Sequence, residues 1–484
     1  MLAAGHGSSR RSGRPLLRAT LTAAFVAGLW VSAPASAQTL TDALAATYMN
    51  NPQINAARAQ LRSVDENVPQ ALAGNRPQVF GTLSGGASGT RTYGGNGRIV
   101  AGTRRPGGKG YISQYPISVG VQLTQPLFDG FRTPNAVRQA EAGVLAQRES
   151  LRNTEQSVLL DAVTAFMEVI QAQALVELQE ANLQFLDEQV KASKDRFQVG
   201  EGTNTDVAQA EASQAQAQAQ LYQARANLQA AKATFRQITG LEAKRLVLLP
   251  LGERLKPNSL EVALSLGQKD HPAVLAAIHN VDVAQFNVKV LEGQTLPSVD
   301  LTAGLQRDYD FGNIGSTRSR QSDSASVSLN VTVPIYQAGL PSSQVRQAKE
   351  DLGFARIQVD LNRDLVRSNI ITFWGNLAAA EASIFAARTS VVANQLAVNG
   401  VIEEQKVGQA TTLDVLLQQS NLIDARTTLV QAEFNRAVAL YSLIASIGKL
   451  DSMSLRLPVK TYNPQAHYQA VRDSWGGLRT PDGR

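Results

Sequence analysis

The sequence predicts a mainly α-helical chain with membrane β-strands, laid out as an internal two-fold repeat. Three observations carry this. Val137, Val144, Leu151, Val158 and Ala165 fall every seventh residue, and after one eleven-residue step Val176, Leu183, Val190 and Phe197 resume the spacing. Val345, Leu352, Val359, Val366 and Phe373, then Ile384, Val391 and Val398, repeat that set at a constant offset of 208, the eleven-residue step included. Heptads sustained over this length describe a coiled-coil seam, and their recurrence describes a duplication. Between the helical stretches the period changes to two: Ile117, Val119, Val121 and Leu123 alternate with Ser118, Gly120, Gln122 and Thr124.

Residues 1–37 read as an export signal. Arg10, Arg11, Arg14 and Arg18 form a positive head, Leu21 to Val31 an apolar stretch, and Ala35-Ser36-Ala37 a small-residue site for cleavage between Ala37 and Gln38. Removing this segment takes away four Arg and no acid, so the formal charge falls from +6 to +2. Nucleic acid is thereby not expected as a partner. The chain has no cysteine, which excludes disulfides, thiolate metal sites, a Cys nucleophile and a lipid-modified N-terminal Cys. After residue 37 no apolar run approaches the ~20 residues of a transmembrane helix, so a membrane location requires strands.

Repeat 1 spans 38–250 and repeat 2 spans 257–450. Each opens on a short helix, a capped break and an Ala-rich helix: Leu44 matches Leu264, Pro52 matches Pro272 and Ala56 matches Ala276 at offset 220. Asn51 is the expected cap in the first copy, and His271 holds that position in the second. Strands are expected at about 77–92 and 112–126, then 297–310 and 324–335, with the return strands ending at Pro126 and Pro334. One apolar face and one small polar face suit a barrel with lipid outside and water inside, although a half-buried hairpin of a soluble domain has the same local pattern. Four strands cannot close a barrel, and open edges cannot face lipid. Three chains supply twelve, so the membrane reading requires a homotrimer. The offset shift from 220 to 208 makes the first hairpin loop twelve residues longer. That loop, Gly86 to Tyr111, carries Arg91, Arg98, Arg104, Arg105 and Lys109 and no acid; it is either an extracellular loop near anionic lipopolysaccharide or a solvated loop. Its Gly102 to Lys109 stretch lacks the spacing of a phosphate-binding loop.

Long helices are expected at about 134–199 and 204–240, and at about 342–406 and 412–448; the longer of each pair reaches on the order of 100 Å. They meet in matched turns, Val199-Gly200-Glu201-Gly202-Thr203-Asn204-Thr205-Asp206 and Val407-Gly408-Gln409-Ala410-Thr411-Thr412-Leu413-Asp414. Gly200 and Gly408 suit a left-handed helix end, and Thr203 with Asp206, like Thr411 with Asp414, has capping-box spacing. Capping alone accounts for these residue types, so any function must come from where the turns sit. The tail, 451–484, leaves the repeat and is expected to set Tyr462, His467, Tyr468, Val471 and Trp475 on one short amphipathic helix laid against the helical wall. The four His show no metal-ligand spacing, and no nucleophile, base and orienter fall together, so neither an enzyme nor a cofactor or metal site is expected.

The chain resembles the TolC family of outer-membrane efflux and type I secretion channels. The resemblance rests on LTDAL-x6-NP-x3-AAR, on QPLFDG and VPIYQAG at the strand-to-helix junctions, on VRQAE and VRQAK, and on VG-x2-T-x2-DV at the turns. It implies a trimeric 12-stranded β-barrel in outer-membrane lipid, continuous with a long periplasmic α-helical barrel. It also implies a periplasmic adaptor protein and an inner-membrane ABC or proton-driven exporter as partners. By that implication Val199, Gly200, Thr203, Asp206, Val407, Gly408, Thr411 and Asp414 form the adaptor-contacting, pore-closing end, with Asp206 and Asp414 as constriction candidates. Leu417 stands where such channels often carry a second acid, and Gln405 and Ala410 stand where aromatic or basic gate residues occur. The absent N-terminal Cys separates the chain from the lipid-anchored branch, and YNP-x2-HY-x2-VR-x2-W resembles the secretion subgroup. The competing classes are a trimeric surface adhesin, whose strands would all be C-terminal, and a periplasmic coiled-coil scaffold.

Overall fold

The computed structural model describes residues 38–92, 99–100, 103–104, 110–247, 252–311, 319–481 and 483. The expected signal segment up to Ala37 and half of the basic loop lie outside them. The elements in order are β1 (Gln38–Thr39), α1 (Leu40–Asn50), α2 (Pro52–Asp65), α3 (Asn67–Leu72), β2 (Gln78–Gly85), β3 (Ser88–Thr92), β4 (Ile99–Val100), β5 (Thr103–Arg104) and β6 (Gly110–Phe128). Then follow α4 (Arg132–Gln198), α5 (Asn204–Thr239), β7 (Leu246–Val247), α6 (Leu260–Asp270), α7 (Pro272–Gly293), β8 (Ser298–Phe311), β9 (Ser319–Thr332), α8 (Leu340–Lys406), α9 (Thr412–Ser446) and α10 (Pro464–Val471).

α4 and α8 are each 67 residues long. Val144, Leu151, Val158 and Ala165 are buried on α4, as are Val359, Val366, Ile384 and Val398 on α8, so the seven-residue spacing marks the packed face. The seam loosens toward the turns, where Phe197 is exposed. Both helices hold a window apolar enough by composition to cross a membrane, contrary to the sequence expectation. On α4 the apolar residues around Phe166 instead build the main core: Phe166 sits beside Phe235 of α5, with ring centroids 6.2 Å apart, and Leu40, Leu44, Leu443 and Ile444 belong to the same buried cluster. One ion pair recurs at the 208 offset with its charges exchanged, Glu180 with Arg225 in the first coil and Arg388 with Glu433 in the second.

The main sheet runs β2-β6-β8-β9, with β3 also on β6, and every pairing is antiparallel. Its strands differ from the expected bounds where proline removes a donor. The outgoing strand breaks at Gly86 and Ala87 opposite Pro116, whose carbonyl accepts from the Gly86 N–H but which has no N–H to return. The return strand does not stop at Pro126; it passes through a register shift there and pairs as far as Phe128. β9 ends at Thr332, short of 335, because its partner starts at Ser298 just after Pro297. Val333 and Ile335 are left exposed. A short parallel pair missed in the sequence, β1 with β7, ties Gln38 to Leu246.

The capped breaks form as short-range chemistry dictates. Asn51 Oδ1 accepts from Gln53 N at 2.8 Å, while its Nδ2 donates to Ile238 O at 2.9 Å and so fastens the break to the end of α5. His271 caps α7 with an unprotonated Nδ1, 3.2 Å from Ala273 N. Burial, with Arg152 nearby, pushes this imidazole down to about 4 from 6.5. A histidine whose folded value is depressed contributes stability above its unfolded value and loses it as pH falls through the folded one. His271→Asn is therefore expected to flatten the acid limb of thermal stability between pH 6.5 and 4, by on the order of 2 kcal/mol, read by circular dichroism melts. An unchanged acid limb assigns that limb to other groups.

The tail crosses the wall as a strap. His467 Nδ1 lies 3.0 Å from Asp65 Oδ2, whose side chain is fully buried, and Tyr468 donates to Glu141 Oε1 at 3.2 Å. Val471 is buried. Tyr462 and Trp475 flank α10 rather than belonging to it: the Tyr462 N–H donates to the Tyr48 hydroxyl, and Trp475 lies against the Arg76 guanidinium.

Candidate functional site: the paired helical turns

The site is built at the end of the molecule farthest from the sheet. α4 closes with Gly200 at φ +82, and α8 with Gly408 at φ +76. Glu201 N donates to Arg196 O at 2.9 Å, as Gln409 N does to Glu404 O at 2.9 Å, which satisfies carbonyls that a helix end leaves open. Thr203 starts α5: its Oγ1 accepts from Asp206 N at 3.2 Å, and Asp206 Oδ2 accepts from Thr203 N at 3.0 Å and from Thr203 Oγ1 at 2.6 Å. Thr411 and Asp414 do the same for α9 at 3.2, 2.8 and 2.6 Å. In both turns the Thr hydroxyl, then the Thr backbone N–H, holds the Asp carboxyl below the ordinary carboxylate value. Each turn thus carries a fixed negative charge at neutral pH.

The two turns lie at the same end but not side by side. The Gln419 amide donates to Asn182 Oδ1 at 3.0 Å, both side chains buried, and Leu416 packs with Leu186 and Ala217. Gln171 and Gln431 meet higher on the same pair of helices. These partners keep one antiparallel register in which Thr411 lies opposite about residue 191 of α4. The first turn therefore projects past the second by about eight residues, roughly 12 Å along the helix direction. Val199 and Val407 are about 70% exposed, so apolar side chains crown both turns. Leu413 and Leu417 add exposed apolar surface to the second turn alone. Sequence reading gave Leu417 no role beyond its departure from the family, and passed over Leu413.

No group of three or more His, Cys, Asp or Glu among the described residues is placed to hold a metal ion. The arrangement offers a pair of charged, apolar-tipped prongs on long stiff coils beneath a sheet. A membrane-channel subunit with an extended helical conduit is the class this defines. The family described as outer membrane efflux protein matches residues 44–241 and 263–449, once over each half, and the chain belongs to that family. It is 43% identical to the outer membrane efflux protein BepC of Brucella suis over 93% of this chain and 94% of that one. It is 25% identical to the outer membrane protein TolC of Escherichia coli over 88% and 85%. Its fold is similar to that of the Campylobacter jejuni CmeC outer membrane channel, with a TM-score of 0.70 at 16% identity over 90% of this chain and 89% of that one.

Proposed function

We propose that three copies of this chain assemble into an outer-membrane exit duct, a 12-stranded barrel opening into a helical barrel in the periplasm. The observation that carries the proposal is that the sheet and both levels of the helical wall end on the same two flanks. In the sheet the free edges are β2 and β9. In the upper wall α4 packs on α2 and α7, and α7 on α8, which leaves α2 and α8 outermost. In the lower wall α4 packs on α5 and α9, and α9 on α8, which leaves α5 and α8 outermost. Three antiparallel pairings separate β2 from β9, so the two edges run in opposite directions, and β9 of one copy meets β2 of the next as one more antiparallel pair. Such head-to-tail contact closes into a ring. Two copies give eight strands and a barrel filled by side chains; three give twelve and an aqueous lumen.

The duct is passive. An inner-membrane ABC or proton-driven exporter supplies the driving force, and a periplasmic adaptor grips the staggered turns around Val199, Gly200, Thr203 and Asp206, and Val407, Gly408, Thr411 and Asp414. At rest the turns crowd together, and adaptor binding relaxes them. Asp206 and Asp414 ring the constriction as carboxylates and favour cations. Protein extracted in detergent is expected to have the mass of three chains and to pass current in planar bilayers. Asp414→Asn keeps an acceptor for the cap but removes the charge, and is expected to shift the reversal potential under a salt gradient toward lower cation preference. A monomeric mass, or bilayers without current, rejects the duct. An unmoved reversal potential removes Asp414 from the constriction.

A further inference from the structure

We propose that Phe80 forms an aromatic contact ring for solutes inside the barrel, a role that rests on the three-chain duct. The strand register fixes its face. Phe80 pairs with Gln122, Gln122 with Gly304, and Gly304 with Ser326. The rungs on either side, Val79-Leu123-Ala303-Val327 and Gly81-Val121-Leu305-Ala325, are apolar or glycine and belong to the opposite face. In a membrane barrel the apolar face meets lipid, so Phe80 stands on the water-filled side. It is 55% exposed. It is the only aromatic among the described side chains of that face, which are otherwise Gln, Thr, Ser, Asn, Asp, Gly or Pro.

Folding does not call for a phenylalanine here. Among the described residues no ring is stacked on it, and its rung continues through Gly304, whose missing Cβ would meet nothing closer than Ser326 Oγ at 3.5 Å. The neighbours of Phe80 on this face, Gln78, Thr82, Gly120, Gln122 and Thr124, are polar or glycine and leave the ring more than half exposed. On the same face Asp300, paired with Pro126 and Asn330, lies four residues toward the helical end from Gly304, a separation of roughly 13 Å. An open aromatic face with a carboxylate deeper in the same passage suits a cation that carries aromatic or aliphatic surface. Such a solute pauses at Phe80, while a small hydrated cation feels only the carboxylates of this face, Asp300, Asp308 and Asp310.

The test uses the full assembled channel in planar bilayers with tetraphenylphosphonium or tetramethylammonium added on the helical side. Phe80→Ser is expected to keep the ion current, to weaken block by tetraphenylphosphonium roughly three- to tenfold, and to leave the response to tetramethylammonium unchanged. Phe80→Trp is expected to retain the block. The absence of cysteine lets Phe80→Cys be labelled at one position, and a bulky thiol reagent is expected to lower its current. A conducting channel whose tetraphenylphosphonium block ignores Phe80→Ser, or a labelled Phe80→Cys channel with undiminished current, overturns this proposal alone. A wild-type protein that passes no current overturns the duct and the ring together.

Discussion

Gly130→Ala is expected to lose several kcal/mol of stability, whereas Gly339→Ala loses only about 1–2 kcal/mol. Both residues sit where a strand hands over to a long helix, and both junctions use two successive left-handed residues. The order differs: Gly130 at φ +71 precedes Phe131 at φ +64, while Ala338 at φ +51 precedes Gly339 at φ +78. Ala338 occupies the place of Gly130 at the 208 offset, so an alanine can adopt that backbone. Conformation alone therefore does not demand glycine at 130. The demand comes from a neighbour: a Cβ on Gly130 would collide with the carbonyl oxygen of Gly293, and a Cβ on Gly293 would lie 2.6 Å from that of Gly130. These are backbone atoms, one at the end of α7 and one in the turn before α4, and cannot step aside as a side chain can. A Cβ on Gly339 meets nothing within 4 Å. Thermal melts and the yield of folded protein from membranes read the difference, and equal losses at the two positions would show that φ rather than close approach governs the junction.

That pair of glycines also marks the limit of what the sequence reveals. QPLFDG and VPIYQAG are visible as matched junctions, but the reason for Gly130 lies 163 residues away in Gly293. Features written within a few residues were legible for the opposite reason. Thr203 with Asp206 and Thr411 with Asp414 close their boxes across one helical turn, and the seven-residue spacing of Val144, Leu151 and Val158 is a property of one helix face. The stagger of the two turns depends on Asn182 meeting Gln419, 237 positions apart, and no local pattern announces it. The exchanged ion pairs had a signal that could have found them: Glu180 and Arg225 become Arg388 and Glu433 at the constant offset. Phe80 was hidden because alternation counts apolar residues, and one aromatic on a polar face does not disturb the count.

Charging the outer flank of α8 is expected to abolish assembly while leaving the single chain folded. α8 is apolar on two opposite faces. One carries Val359, Val366, Ile370 and Leu377, which pack into the chain's own core. At 100° per residue, Phe354, Ile357, Leu361 and Leu365 fall about half a turn away from them and are exposed. Toward the turns Phe385, Val392 and Leu396 form a second exposed stripe, turned away from the first around the helix axis, with Phe385 at 78% and Leu396 at 73%. In the proposed three-chain ring, a neighbouring subunit's α2 and α5 are the surfaces brought to this flank of α8. Each such side chain buried there stabilises the contact by about 1.5–3 kcal/mol, and a carboxylate in its place carries a desolvation cost as well. Phe385→Glu combined with Leu396→Glu therefore loses the first term and incurs the second at every interface of the proposed three-chain ring. The double variant is expected to elute at the mass of one chain in detergent, with wild-type helical content and no bilayer current, whereas Phe385→Leu with Leu396→Met keeps the three-chain mass. A double glutamate variant that still assembles would place the subunit contact on another face of the wall.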